Sequence, residues 1–234
     1  MNERTAIVTG GSRGLGRALA SELVRRGWCV IIDGRDREEV VGTAAEIGAV
    51  AVTGDVTDRA HRRDLVAVAL RRTGRLDLLV NNAGTLGATP LPALADYPLD
   101  ELRSTLETNV VAAIGLTQEA LPALRQTLGA LMNVTSDAAQ EAYPGWGGYG
   151  ASKAALEQAS RILAEEEPTV TVWWVDPGDM RTRMHQDAFP GEDISDRPDP
   201  QVVAPVLADL IDRGRSRPPS GRFRLSDLVV EGTR

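Results

Sequence analysis

Cysteine is nearly missing from this chain: Cys29 stands alone among 234 residues. A single thiol can form no internal disulfide and no thiolate cluster, and with only two histidines, His61 and His185, a histidine-rich metal site is equally implausible. The expected chemistry is therefore metal-free. Positive charge is also short. Lys and Arg total 26 against 33 Asp and Glu, a net charge of −7, so no summed field attracts phosphate backbones or anionic lipid. Neither nucleic acid nor a membrane is an expected partner. No apolar run approaches the roughly 20 residues of a spanning helix. The opening MNERTAIVTG lacks the basic segment, apolar stretch and cleavage site of a leader, so a cytoplasmic location is expected. Lysine is as scarce as cysteine. Lys153 is the only one, and the other 25 basic residues are arginine. A compact ammonium and a planar guanidinium are not interchangeable, which marks Lys153 as a candidate site.

What is present reads as one folded α/β domain. Apolar residues make up 42% and charged residues 25%, an ordinary globular mixture. Short apolar runs alternate with segments of helical spacing. Strands are predicted at 5–9, 28–32, 49–52, 76–80, 130–135 and 170–175, and helices at 15–26, 37–47, 57–72 with Thr57 as N-cap, 99–126 and 150–166. A further helix at 201–212 and an edge strand at 221–225 close the pattern. Continuous apolar strands alternating with helices belong to a parallel sheet covered on both faces. Ligands bind beyond the carboxyl ends of such strands, so the residues just after each strand are the ones to read.

After the first strand comes Thr9-Gly10-Gly11-Ser12-Arg13-Gly14-Leu15-Gly16. Glycines there allow a tight turn and close approach of a pyrophosphate, and the following helix N-terminus offers free N–H groups. The spacing Gly-x-x-x-Gly-x-Gly resembles that of the short-chain dehydrogenase/reductase family. Later segments extend the resemblance: Asp55-Val56 after strand three, Asn81-Asn82-Ala83-Gly84 after strand four, Asn109 in the long helix, and Ser136 after strand five. Tyr149-Gly-Ala-Ser-Lys153 and then Pro177-Gly178 with Thr182 complete it, so the likeness runs from about residue 5 to residue 182.

The resemblance implies a Rossmann-type doubly wound parallel sheet and a nicotinamide-dependent oxidoreductase acting on a small carbonyl or alcohol. Tyrosine and lysine four apart on a helix share one face, which lets the ammonium stabilise the phenolate. In the family's scheme Tyr149 is the proton donor in reduction, Ser136 orients the substrate oxygen, and Asn109 holds a water that relays protons from Lys153. The cofactor would lie along Gly10, Ser12, Arg13, Gly14, Leu15 and Gly16, with Asp55 and Val56 at the adenine. Asn82, Ala83, Gly84, Tyr149, Lys153, Pro177, Gly178 and Thr182 would hold the remainder.

The second strand ends Ile31-Ile32-Asp33-Gly34-Arg35. Asp33 aimed at a ribose 2′-hydroxyl would favour NAD. NAD-preferring relatives, however, place their acid where this chain has Gly34, and Arg35 stands where NADP-preferring relatives have a basic residue. Arg13 is a second guanidinium within reach of a 2′-phosphate. NADP(H) is the expected cofactor.

The segment 180–200 is expected to form a substrate lid, with Met184 and Phe189 as apolar contacts, and Tyr143 and Trp146 to form the opposite wall of a pocket suited to apolar or ring-bearing substrates. His185 reads as a surface residue, and Trp173 and Trp174 as core on opposite faces of their strand. The end at Glu231-Gly-Thr-Arg234 lacks the longer tail through which relatives build tetramers, so a homodimer through the two long helices is the expected assembly. Two other readings compete. One is a catalytically silent NAD(P)-binding sensor, against which Tyr149, Lys153, Ser136 and Asn109 all stand. The other is an epimerase or dehydratase, which needs a larger substrate domain than this length allows.

Overall fold

Strand residues of this chain alternate between two cores, and that alternation builds the molecule. In the computed structural model, which describes residues 3–212 and 219–231, seven strands form one parallel sheet. They are β1 (Thr5–Val8), β2 (Cys29–Gly34), β3 (Val50–Thr53), β4 (Leu78–Asn81), β5 (Ala130–Val134), β6 (Thr171–Asp176) and β7 (Gly221–Arg224), in the spatial order β3-β2-β1-β4-β5-β6-β7. The expected doubly wound fold is therefore the observed one. Helices α1 (Gly14–Arg25), α2 (Arg37–Ile47) and α8 (Pro200–Asp212) pack on one face, over Ala6, Val8, Ile32, Val80, Met132 and Trp173. Helices α3 (Arg59–Thr73) and α5 (Ala112–Thr127) cover the other, over Ile7, Ile31, Leu79, Leu131 and Trp174. The two adjacent tryptophans thus enter opposite cores, as period-two geometry requires. The remaining helices are α4 (Leu99–Leu106), α6 (Gly147–Glu166), α7 (Arg183–Ala188) and α9 (Leu225–Glu231).

Three expectations change in detail. The predicted helix 99–126 is interrupted: α4 passes into a π-turn over Glu107–Val111 before α5 begins. Such an insertion is a frequent mark of a functional site. Thr57 is not a helix cap, because its hydroxyl donates to Asp55 Oδ1 (2.8 Å) while Asp58 caps α3 by accepting from Ala60 N (2.8 Å). The segment 180–200 contains a short helix, α7, capped by Thr182. Residues 232–234, on which the reading of the short tail partly rests, lie outside the described residues. Among the described residues no helix is long and apolar enough to cross a membrane, and no group of His, Cys, Asp and Glu has the arrangement of a metal site.

An ion cluster ties α1 to α8. Glu22 accepts from Arg25 and from Arg26 Nε (2.7 Å), and Arg26 also reaches Asp209 (2.8 Å) and Asp212 (3.1 Å). The Arg25 hydrogen bond is the main force that holds the Glu22 carboxyl down to about 2, with Arg26 adding to it against the opposing effect of burial. A carboxyl lowered in the fold stabilises above its unfolded value of 4.5, and that contribution is lost as pH falls toward 2. Glu22→Gln should lower the unfolding free energy by about 1–2 kcal/mol at pH 7. The gap between variant and wild type in denaturant melts should narrow below about pH 4.5.

Candidate active site

The carboxyl ends of β1 and β4 meet at Thr9. Its hydroxyl donates to Val80 O (3.2 Å) and accepts from the Asn82 and Ala83 N–H groups (3.0 Å each). Asn82 returns the contact, its Nδ2 donating to Thr9 O (2.8 Å) and Gly10 O (3.3 Å). These bonds latch the glycine turn to the end of β4. Gly10 has φ +63°, and a Cβ there would stand 3.1 Å from Ala83 Cα. A Cβ at Gly16 would come within 2.4 Å of Gly10 O. Neither position has room for a side chain, so glycine at both lets the turn pack directly onto the end of β4 and the first turn of α1, forming a cradle. Gly14 and the buried Leu15 open that helix, and Ser12 is buried with its carbonyl bonded by Thr43 Oγ1 (3.0 Å). Arg13 stands exposed at the α1 N-cap, and Arg35 stands exposed just after β2.

Asp33 does not face that surface. It is buried, accepting from Gly10 N (2.6 Å) and hydrogen-bonded to His61 Nε2 (2.9 Å). Both its oxygens are thus occupied inside the protein, beneath the turn. Gly54 makes room for the imidazole, since a Cβ there would lie 2.2 Å from His61 Nδ1. After β3, Asp55 Oδ1 accepts from Thr57 N (2.9 Å), and the Val56 carbonyl accepts from Arg62 (2.7 Å). After β6, Gly178 (φ +72°) follows Pro177 and donates to Asp176 Oδ1 (3.0 Å). Thr182 reaches back toward the glycine turn, where a Cβ on Gly14 would touch its methyl at 3.6 Å.

Lys153, Tyr149, Ser136 and Asn109 converge behind this cradle. Tyr149 lies in the first turn of α6 with Lys153 one turn on, both buried, and the ammonium sits 5.5 Å from the phenol ring centre. Lys153 Nζ donates to Val134 O (2.8 Å), and burial lowers its pKa to about 8. Burial is also the main cause that raises the Tyr149 phenol. The Ser136 hydroxyl opposes that rise, and Asp176, Asp137 and Asp179 add to it. Ser136 follows β5 and caps a short 3-10 turn, Asp137–Ala139. Asn109 sits in the π-turn, its amide held by Thr85 N (2.8 Å), Thr85 O (2.9 Å) and Ser152 Oγ (2.9 Å). Gly84 fits between these groups, since a Cβ would meet Asn109 Oδ1 at 3.2 Å and Lys153 Nζ at 3.7 Å.

Several polar residues here escaped the sequence reading. Thr9 is an unremarked polar residue closing an apolar strand. Glu157 is buried on α6 and binds Thr135 Oγ1 (3.1 Å), Gln140 Nε2 (3.0 Å) and Arg222 Nε of β7 (2.9 Å). Arg222 in turn reaches Ser136 O and Asp176 Oδ2 (3.4 Å each). No motif flags a charge pair 65 residues apart. His185 is corrected. It is buried, not on the surface, because α7 turns its ring against Phe189 (4.9 Å between centroids) and toward Asp179 (3.7 Å). Phe189 packs on Trp146 (5.8 Å), which packs edge-on to Tyr149 (5.6 Å). Met184 is partly exposed.

Comparison with known proteins agrees with this geometry. The short chain dehydrogenase family profile matches residues 4–193. The rhamnolipid-biosynthesis 3-oxoacyl-[acyl-carrier-protein] reductase of Pseudomonas aeruginosa is 36% identical over 197 residues, 77% of this chain and 74% of that protein. The serine 3-dehydrogenase of Rhizobium radiobacter is 34% identical over 185 residues, covering 77% and 73%. A short chain dehydrogenase of Shigella flexneri, solved with NADP, superposes with a TM-score of 0.89 at 30% identity, covering 97% of this chain and 98% of that one. With the profile spanning most of the chain and the turn, the Tyr-Lys helix and the seven-stranded sheet all in place, this protein belongs to the short-chain dehydrogenase family of oxidoreductases.

Proposed function

We propose that the chain transfers a hydride between NADP(H) and a carbonyl or secondary alcohol, with Tyr149 as the proton-transferring group. The observation that carries this reading is the convergence of the buried Tyr149–Lys153 pair and Ser136 behind a glycine turn whose packing admits no Cβ at Gly10 or Gly16. A bound nicotinamide supplies or accepts the hydride, and the protein must deal with the charge left on the substrate oxygen. Tyr149 gives that oxygen its proton in reduction and takes it in oxidation. The Ser136 hydroxyl, which donates to Asp137 Oδ1 (2.9 Å) in this structure, turns its single proton to the substrate oxygen, orienting it and stabilising its growing charge. Lys153, kept from water beside the ring, favours the phenolate. Asn109 pins Thr85 and Ser152 around the ammonium, and the proton relay from Lys153 to solvent passes this π-turn. Pro177, Gly178 and Thr182 border the nicotinamide end, and Asn82, Ala83 and Gly84 border the middle of the cofactor.

NADP(H) over NAD(H) is supported by two exposed guanidiniums and one withdrawn carboxylate. Among the described residues neither Arg13 nor Arg35 forms a salt bridge, and Arg35 acts on the Asp55 carboxylate only at longer range, which leaves both guanidiniums to meet a 2′-phosphate. Asp33, the acid that would select a free 2′-hydroxyl, is occupied by Gly10 and His61. The Shigella flexneri relative, solved with NADP, supports the same choice. The segment 180–200, carrying α7 and Phe189 against Trp146, is proposed as the substrate lid. We further propose a cytoplasmic homodimer.

Tyr149→Phe should lower kcat for carbonyl reduction by about a hundredfold or more while leaving the NADPH dissociation constant nearly unchanged. Stopped-flow turnover together with nicotinamide fluorescence titration checks this, and unchanged turnover would assign the proton to another group. Replacing Arg13 and Arg35 by Ala should weaken NADPH binding by about tenfold or more and NADH binding by less than about threefold. Equal losses in the two titrations would reject the guanidinium clamp.

A further inference from the structure

Beside Ser136 stands an acid whose charge no cation among the described residues balances. Asp137 is half-buried. Its Oδ1 accepts from Ser136 Oγ (2.9 Å) and Ala138 N (2.7 Å), and its Oδ2 accepts from the Tyr143 hydroxyl (3.0 Å). All three donors are neutral, so they satisfy its lone pairs and leave its charge. Three carboxylates act on the Tyr149 hydroxyl, and the other two have cations. Asp176 faces Arg222 (3.4 Å) and Arg224 (4.0 Å), and Asp179 faces Arg197 (3.8 Å). In a chain with 25 arginines, Asp137 has no cationic partner among the described residues. The missing cation would lie next to the hydroxyl that holds the substrate oxygen.

We propose that Asp137 is a substrate-binding carboxylate and that the substrate carries a cationic amino group on the carbon next to the reacting carbinol or carbonyl. This rests on the hydride-transfer reading above. A substrate oxygen that takes the Ser136 hydroxyl proton away from Asp137 Oδ1 brings its neighbouring carbon beside that freed carboxylate oxygen, where an ammonium meets a partly desolvated carboxylate in a charge-assisted hydrogen bond. Tyr143, donating to the same carboxylate from the pocket wall, holds it in place. The cation also acts on the chemistry. Uncompensated, Asp137 works against loss of the phenol proton, and a bound ammonium cancels that field when Tyr149 must act as base. In oxidation the carbinol C–H hydride passes to the oxidised nicotinamide and the hydroxyl proton to Tyr149, giving an amino ketone and the reduced cofactor. The reduction runs the same steps backward.

Phenylethanolamine and ethyl phenyl carbinol test this, because they differ by an ammonium in place of a methyl group beside the same carbinol. With NADP as oxidant, the wild-type kcat/KM should favour the amino alcohol by about tenfold or more. Asp137→Asn retains an oxygen for the 3-10 turn and removes the charge, and should bring that ratio close to one. NADPH fluorescence titration of the variant verifies its fold. A wild-type ratio near or below one, or a ratio that survives Asp137→Asn, overturns the proposal. If neither alcohol is oxidised while a neutral ketone is reduced with NADPH, the proposal falls and hydride transfer stands. If no carbonyl or alcohol of either charge reacts, both fall.

Discussion

Holding one ammonium out of water costs several kcal/mol, and much of this structure is arranged around that constraint. Lys153 is buried at 4% exposure with the Val134 carbonyl as its hydrogen-bond acceptor, and burial takes its pKa down to about 8. Strand β5 supplies the carbonyl and α6 the lysine. Gly84 keeps β4's end thin enough to pass beside the ammonium, while the Asn109 amide bridges to Thr85 and Ser152. The π-turn that breaks α4 from α5 is part of this arrangement, since Asn109 lies in its middle. A planar guanidinium could not take such a place, which gives physical content to a composition of 25 arginines and one lysine.

The cradle in front of that ammonium depends on the same sheet. Thr9 and Asn82 join the ends of β1 and β4, and Asp33 and His61 support the turn from below. Asp33 thus serves the backbone of the turn and carries a structural task. Arg13 and Arg35 stand exposed on that side, Arg35 acting on the Asp55 carboxylate. Behind Ser136, Glu157 and Arg222 join α6 to β7 and touch the Ser136 and Asp176 segments. The result is an arrangement in which each residue at a strand end is positioned by groups from another element.

The sheet was legible in the sequence because both faces are covered, so each strand reads as an apolar run such as Leu78–Val80 or Val172–Val175. Helix ends were legible where glycine or proline punctuates them, as at Gly48 and Gly74, both in the left-handed region. The π-turn was not, since no local pattern in Glu107–Val111 marks an extra residue in a turn, and Asn109 is held there by hydrogen bonds to residues distant in sequence. Short α7 was missed for want of length, and with it the burial of His185. In the site, the glycine turn and the Tyr149–Lys153 helix were visible because their chemistry demands those types at fixed local spacing. Thr9–Asn82, Asp33–His61 and Glu157–Arg222 were not, being single residues far apart in sequence that only the fold brings together.

The central claim is that the buried ammonium of Lys153 sustains proton transfer at Tyr149. Lys153→Arg tests it most directly, because it keeps the formal charge and replaces only the compact, buriable cation. Steady-state carbonyl reduction with NADPH, measured beside a thermal melt to confirm folding, is the experiment. The account predicts a fall in kcat of about a hundredfold or more in a folded protein. A folded Lys153→Arg protein with near-wild-type kcat would contradict it.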